Sequence, residues 1–266
     1  MIKFKLNGTE IVAEKNETIW QAAKNNNIEI PHLCHADEVG YDPNGNCRAC
    51  VVQVKGERTL AASCIRKPSE GMEVDSVSDE VNSTQKMIFE LLAADQPCKE
   101  NHPDPASKFW QWGDKLQVNE KKFPRNKSIK KDISHPSMHV NLEACINCNL
   151  CVRACREVQS NDVIGMAFRG HESKVIFDFD DEMASSSCVG CGECVQACPT
   201  GALMEKSLLN VDGKRDVYPD KSVNTLCPYC GVGCQTKVFV KDNKIVQVDG
   251  RAVSYTHLTL PTMFEV

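Results

Sequence analysis

The chain has 266 residues, 41% of them hydrophobic and 25% charged, with a formal net charge of −5 at pH 7. That balance excludes the basic footprint of a nucleic-acid binder, and no apolar run reaches the roughly 18 residues of a membrane span. Sixteen cysteines stand out; MIKFKLNGTEIV at the start has no apolar h-region and no twin arginine, so the expectation is a cytoplasmic chain whose thiols bind metal rather than form disulfides.

Residues 1–78 read as an α+β module. Ile2–Leu6 alternates as a strand, Asn7-Gly8 signals a hairpin turn, and Glu10–Ala13 is the return strand. Thr18 is placed to cap a short helix through Ile19, Trp20, Ala22 and Ala23. Cys50–Val54 and Leu60–Ala62 read as strands around Gly56, which points to a β-grasp ferredoxin. Residues 79–137 form a helical and linker region. Val81, Met87, Ile88, Leu91 and Leu92 recur at helical spacing, and the lysine-rich stretch from Lys115 to Lys131 reads as a solvated linker. Residues 138–207 contain one short cysteine motif twice. Residues 219–252 begin another module, with strands at Thr236–Val240 and Ile245–Val248 around Asp242-Asn243. The fold class expected is α+β and multi-module. Residues 253–266 (VSYTHLTLPT within them) resemble a translated sequencing adapter, so the natural protein is expected to continue past Ala252.

The first cysteine set is Cys34, Cys47, Cys50 and Cys64, spaced C-x12-C-x2-C-x13-C. Four thiolates suit a 2Fe–2S cluster, and also a tetrahedral zinc ion. Gly45 supplies a tight turn beside the close pair. His32 and His35 flank Cys34, but four cysteines already complete the set, leaving the histidines to hydrogen bonding or the surface.

The second set is Cys145-x2-Cys148-x2-Cys151-x3-Cys155 and Cys188-x2-Cys191-x2-Cys194-x3-Cys198-Pro199. This is the bacterial two-cluster ferredoxin spacing, in which the fourth cysteine of each run ligates the other cluster. Cys145, Cys148, Cys151 and Cys198 are therefore expected on one 4Fe–4S cluster, and Cys188, Cys191, Cys194 and Cys155 on the other. Arg156 stands where a proline is expected after the first run. The third set, Cys227, Cys230 and Cys234, has spacing C-x2-C-x3-C, the reverse of the radical-SAM order. Cys98, with His102 four residues on, is left over and does not complete a site. The acidic run Asp178, Asp180, Asp181 and Glu182 reads as a solvated loop, and neither a P-loop nor G-x-G-x-x-G is present.

CPYCGVGC at Cys227–Cys234 resembles the opening of molybdopterin oxidoreductases, where a later fourth cysteine completes a 4Fe–4S cluster; none follows Cys234, so that cluster is incomplete in this chain. The whole order, with AASCIRKP (61–68), FWQW (109–112), CVRACREVQSNDVIGM (151–166) and the stretch 188–203, resembles over about residues 1–252 the alpha (catalytic) subunit of soluble NAD-dependent formate dehydrogenases. The resemblance implies one 2Fe–2S, two 4Fe–4S and an incomplete third 4Fe–4S cluster. It also implies that a molybdenum or tungsten bis-pyranopterin and the catalytic residues lie beyond residue 252, in the full-length enzyme. Electrons would pass from that centre along the clusters to a flavin/NAD-binding, diaphorase-type partner subunit, with neither nucleic acid nor membrane as partner. Other readings are a stand-alone ferredoxin-like carrier, the iron–sulfur subunit of a complex I- or hydrogenase-type NADH oxidoreductase, and a zinc-stabilised scaffold.

Overall fold

The structure is a computed structural model. It describes residues 1–37, 40–125 and 129–251, with the side chain of His171 excepted; the adapter-like stretch at 253–266 lies outside the described residues. The chain divides into two units, one taking residues 1–37, 42–99 and 106–127, the other 38–41, 100–105 and 128–266.

The first unit is built on five strands: β1 (Ile2–Leu6), β2 (Thr9–Ala13), β3 (Val51–Val54), β4 (Ala61–Ala62) and β5 (Glu73–Asp75). They are ordered β2-β1-β5-β3-β4. β1 and β2 form a hairpin pairing Ile2 with Ala13 and Leu6 with Thr9. Asn7 and Gly8 both turn with positive φ, at 53° and 81°, which matches the twist of the flanking strands. The central β5 runs parallel to β1 and antiparallel to β3. Its three residues, Glu-Val-Asp, carry too short an alternation to be legible as a strand.

Helix α1 (Ile19–Asn25) packs Ile19, Trp20, Ala22 and Ala23 into a core with Phe4, Leu6, Val52, Val54 and Val74. Thr18 caps it as expected and completes a capping box with Gln21: each side chain accepts from the other's backbone N–H. Cys50 and Cys64 belong to the same apolar cluster, so the β-grasp core supports two thiols directly.

Helix α2 (Asp79–Ala93) is capped by Ser78 and α3 (Lys108–Lys115) follows. The buried face of α2 is Val81, Gln85, Phe89, Glu90 and Ala93, and Met87 and Leu91 are exposed, which corrects the stripe expected from the sequence. The reason lies in tertiary partners: Phe89 stacks on Phe109 with centroids 5.5 Å apart, and Gln85 donates to the Val51 carbonyl. The lysine-rich stretch is also pinned rather than merely solvated. Lys115 pairs with Glu29, Glu120 accepts from the Lys99 N–H, and Lys122 reaches the buried Glu90.

The second unit carries β6 (Met138–Val140), α4 (Leu150–Arg153), β7 (Ile164–Ala167), β8 (Lys174–Phe177), α5 (Glu193–Ala197) and β9 (Leu203–Glu205). β6 pairs with β9 and β7 with β8, both antiparallel, so the repeated motif is bracketed by two short ribbons. β10 (Lys221–Leu226), β11 (Gln235–Lys241) and β12 (Lys244–Gly250) form an antiparallel sheet, with Asp242 and Asn243 at positive φ in the expected turn. β10, KSVNTL with every residue exposed, carries no apolar alternation to mark it as a strand in the sequence. The whole is an α+β, multi-module fold. Among the described residues, no helix is long and apolar enough to cross a membrane.

Burial pushes the Glu90 carboxyl up, but Lys122, with the Asn119 N–H, outweighs it and holds the group below its usual value of 4.5. Lys122→Met is expected to cost about 1–2 kcal/mol at neutral pH by denaturant unfolding. Because the folded value is depressed, that difference is present above the unfolded value and fades as the pH falls through the folded one.

Candidate metal centres

In the first unit, Cys34 lies in the loop after α1, Cys47 and Cys50 in the loop entering β3, and Cys64 just after β4. The two loops clasp each other through sulfur. The Cys34 N–H donates to Cys47 Sγ and the Cys47 N–H to Cys34 Sγ, both at 3.4 Å, and the Ala49 N–H reaches Cys47 Sγ at 3.5 Å. Ser63 donates through both its N–H and its hydroxyl to the Cys50 carbonyl, drawing Cys64 against Cys50. Gly45 has φ +62°, a left-handed conformation that favours glycine, and a Cβ there would push aside the exposed tip of Ile65, 2.2 Å away.

Four thiols this close compete for protons. Cys34 is pushed down by hydrogen bonds from the Cys47 and Cys64 thiols, against the effect of burial. Cys64 is pushed up because its proton is engaged by Cys34 and Cys50. Cys47 is pushed up as well, so by itself the set keeps protons between neighbouring sulfurs; a cationic centre would displace them and take all four as thiolates. His35 is buried and His32 half-buried, so neither lies open on the surface; His32 Nδ1 is 3.1 Å from the Ile30 carbonyl oxygen, in keeping with the hydrogen-bonding alternative, and both rings meet the Trp20 ring edge-on, with centroids 4.6 and 4.5 Å away. Burial, with Lys108 nearby, pulls His32 down to about 4.

In the second unit the two runs are interleaved. One cavity is lined by Cys155 together with Cys188, Cys191 and Cys194, backed by Val163 and Ile164. A second is lined by Cys145, Cys148, Cys151 and Cys198, backed by Leu142 and Leu203. Each cavity thus gathers three thiols of one run and the last thiol of the other. The loops wrap by alternating left-handed residues, Asn147 (φ 52°) and Asn149 (φ 66°) in the first, Gly190 (φ 71°) and Gly192 (φ 78°) in the second. That conformation turns the N–H of Asn147 onto Cys145 Sγ (3.3 Å) and that of Gly190 onto Cys188 Sγ (3.4 Å). The Val163 N–H caps Cys155 Sγ at 3.3 Å. Cys151 and Cys194 are pushed well up, by burial first and by the neighbouring thiols second.

The runs end differently. Pro199 follows Cys198, and the helix stops at Ala197. Arg156 follows Cys155, so the backbone continues as a π-helical turn over Ala154–Val158, and the Arg156 side chain pairs outward with Asp162. The acidic run is partly structural: Asp178 accepts from the Ser187 N–H and hydroxyl, beside Cys188.

In the third set the Cys227 N–H donates to the Cys234 carbonyl at 2.8 Å; Cys234 is buried and Cys230 exposed. His102 is fully buried, and its Nδ1 is 2.9 Å from the Asp104 carbonyl oxygen and 3.1 Å from the Asp104 nitrogen. Cys98 is half-buried, and none of the cysteines forms a disulfide.

Comparison with known proteins bears on all three sets. Residues 1–79 match a 2Fe-2S iron-sulfur cluster binding domain, residues 144–202 a 4Fe-4S dicluster domain, and residues 220–255 the molybdopterin oxidoreductase Fe4S4 domain. The chain is an iron–sulfur electron-transfer region. It is 30% identical over 254 residues to a Rhizobium meliloti subunit of NADH-quinone oxidoreductase, covering 93% of this chain and 29% of that protein. It is 28% identical over 291 residues to Bacillus subtilis YrhE, provisionally named a formate dehydrogenase, covering 93% of this chain and 29% of that one. Among solved structures it is similar to a chain of an NAD+-reducing [NiFe]-hydrogenase in the H2-reduced state, with TM-score 0.69, 25% identity, 80% of this chain and 92% of that chain covered. The chain spans under a third of the length of the two curated relatives.

Burial pulls the His102 imidazole down from 6.5 to about 4. A folded state with a depressed histidine binds fewer protons than the unfolded chain between those values, so its contribution is complete above pH 6.5 and lost on acidification. Between pH 7 and pH 5 the chain is expected to lose up to about 2 kcal/mol more than a His102→Asn variant, compared by urea midpoint at the two pH values.

Proposed function

We propose that this polypeptide is the electron relay of a formate-dehydrogenase-type subunit. It would pass electrons between a molybdenum or tungsten pterin site and a flavin/NAD-binding partner subunit, in the cytoplasm. Cys34, Cys47, Cys50 and Cys64 hold a 2Fe–2S cluster. Cys145, Cys148, Cys151 and Cys198 hold one 4Fe–4S cluster, and Cys188, Cys191, Cys194 and Cys155 the other. Cys227, Cys230 and Cys234 supply three ligands of a further 4Fe–4S cluster. When bound, the clusters supply one-electron transfer; the protein's part is to hold the thiolates apart, turn N–H groups onto them and exclude water.

The observation that carries the ligand sets is the pair of cavities, each lined by three cysteines of one run and one of the other. The donor chemistry fits: the thiol sulfurs receive backbone N–H groups and are walled by Val, Ile and Leu. Formate as the reductant is supported by likeness to YrhE and by the match of residues 220–255 to a molybdopterin oxidoreductase domain. A second reading, the iron–sulfur subunit of an NADH-quinone or hydrogenase-type complex, is favoured by the likeness to the Rhizobium protein and to the hydrogenase chain.

Anaerobic reconstitution is expected to load about ten irons on the first three cluster sites, two plus four plus four. Zinc in their place, without charge-transfer absorption, would overturn the relay. Cys155→Ser should abolish the cluster of the Cys188 run and spare that of the Cys145 run; the reverse pattern would sink the crossed assignment. In the assembled complex formate should bleach the cluster absorption, whereas bleaching by hydrogen and not formate selects the second reading.

A further inference from the structure

The two halves of the dicluster motif align position by position and share every cysteine, Val152 with Val195 and Ala154 with Ala197, yet they differ in charge at two places. Cys148-Asn149-Leu150-Cys151 corresponds to Cys191-Gly192-Glu193-Cys194, and Cys151-Val152-Arg153-Ala154-Cys155 to Cys194-Val195-Gln196-Ala197-Cys198. An apolar Leu150 thus stands where the second half has Glu193, and Arg153 where it has Gln196. Both charged residues are buried at 3% exposure, an expensive placement that needs partners. Tyr41, itself 6% exposed, supplies one: its hydroxyl donates to Glu193 Oε1 at 2.9 Å, and its ring lies 5.9 Å from the Arg153 guanidinium carbon.

Glu193 acts on the cluster loop in two ways. Its backbone N–H donates to the Cys191 sulfur, while its carboxylate adds negative charge beside that thiol. Adding an electron to a cluster adds negative charge, so a buried carboxylate in its ligand loop opposes reduction and a buried guanidinium assists it. We propose that Glu193, positioned by Tyr41 and balanced by Arg153, separates the reduction potentials of the two 4Fe–4S clusters, keeping the one at Cys155, Cys188, Cys191 and Cys194 the lower. The inference rests on the ligand sets proposed above.

The test is an EPR-monitored redox titration of the reconstituted full chain, with the two 4Fe–4S components assigned by their loss or retention in Cys155→Ser. Glu193→Gln keeps the shape and an acceptor for Tyr41 but removes the charge. It is expected to raise the component missing from Cys155→Ser by about tenfold in its reduction equilibrium, about 59 mV for one electron, and to move the other component less. Arg153→Gln is expected to move the same component down. Opposite signs distinguish a charge effect from loosened packing, which would move both variants in one direction. Shifts below about twofold, or of the same sign in both variants, overturn the inference. If Glu193→Gln does not load iron, the Arg153→Gln arm decides alone, and an upward or absent shift overturns it. Wild-type chain that binds no iron defeats the ligand sets instead, a distinct outcome.

Discussion

Everything in this molecule depends on crowding thiols together without letting their charges drive them apart. Twelve cysteines are drawn into three groups of four, and each group would carry several negative charges if fully ionised. The chain answers with backbone N–H groups. Left-handed residues turn amides onto Cys145 and Cys188, and reciprocal N–H donors tie Cys34 to Cys47. These donors cost little because loop amides must find acceptors in any case. They also leave the sulfurs aimed inward, where soft metal would neutralise them.

The two folds solve the same problem with different scaffolds. In the β-grasp unit the sheet does the positioning: β3 and β4 carry Cys50 and Cys64 on paired strand ends, and the core beneath them is apolar. In the dicluster module very little regular structure is available. Short helices and helical turns, two ribbons and left-handed residues in both cysteine loops hold it, since each loop closes on the last cysteine of the opposite run. That exchange makes the halves interdependent, as neither cavity is complete with thiols from its own run.

Near-symmetry is what makes the departures informative. Asn and Gly serve equally at the left-handed positions because both tolerate positive φ. Arg156 and Pro199 part the two exits, one into a π-helical turn and one into extended chain. Glu193 against Leu150 places a buried negative charge in the second run, and Arg153 against Gln196 a buried positive charge in the first. The same backbone can thus hold two clusters in unequal electrostatic surroundings.

Sequence alone determined the cysteine sets, the hairpins at Asn7-Gly8 and Asp242-Asn243 and the Thr18 cap, because spacing, turn residues and caps act over a few positions. It also determined the three modules in order, later matched by family models at 1–79, 144–202 and 220–255. What only the tertiary structure decided were features whose partners are distant in the chain. The α2 face turned on Phe109 and Val51 rather than on its own apolar stripe. The three-residue β5 exists because β1 and β3 flank it. Lys122 is held by a buried Glu90 that no local pattern marks. The meeting of Tyr41 with Glu193, 152 residues apart, has no trace in periodicity or spacing. Local chemistry is written along the chain, whereas burial and charge pairing exist only once it has folded.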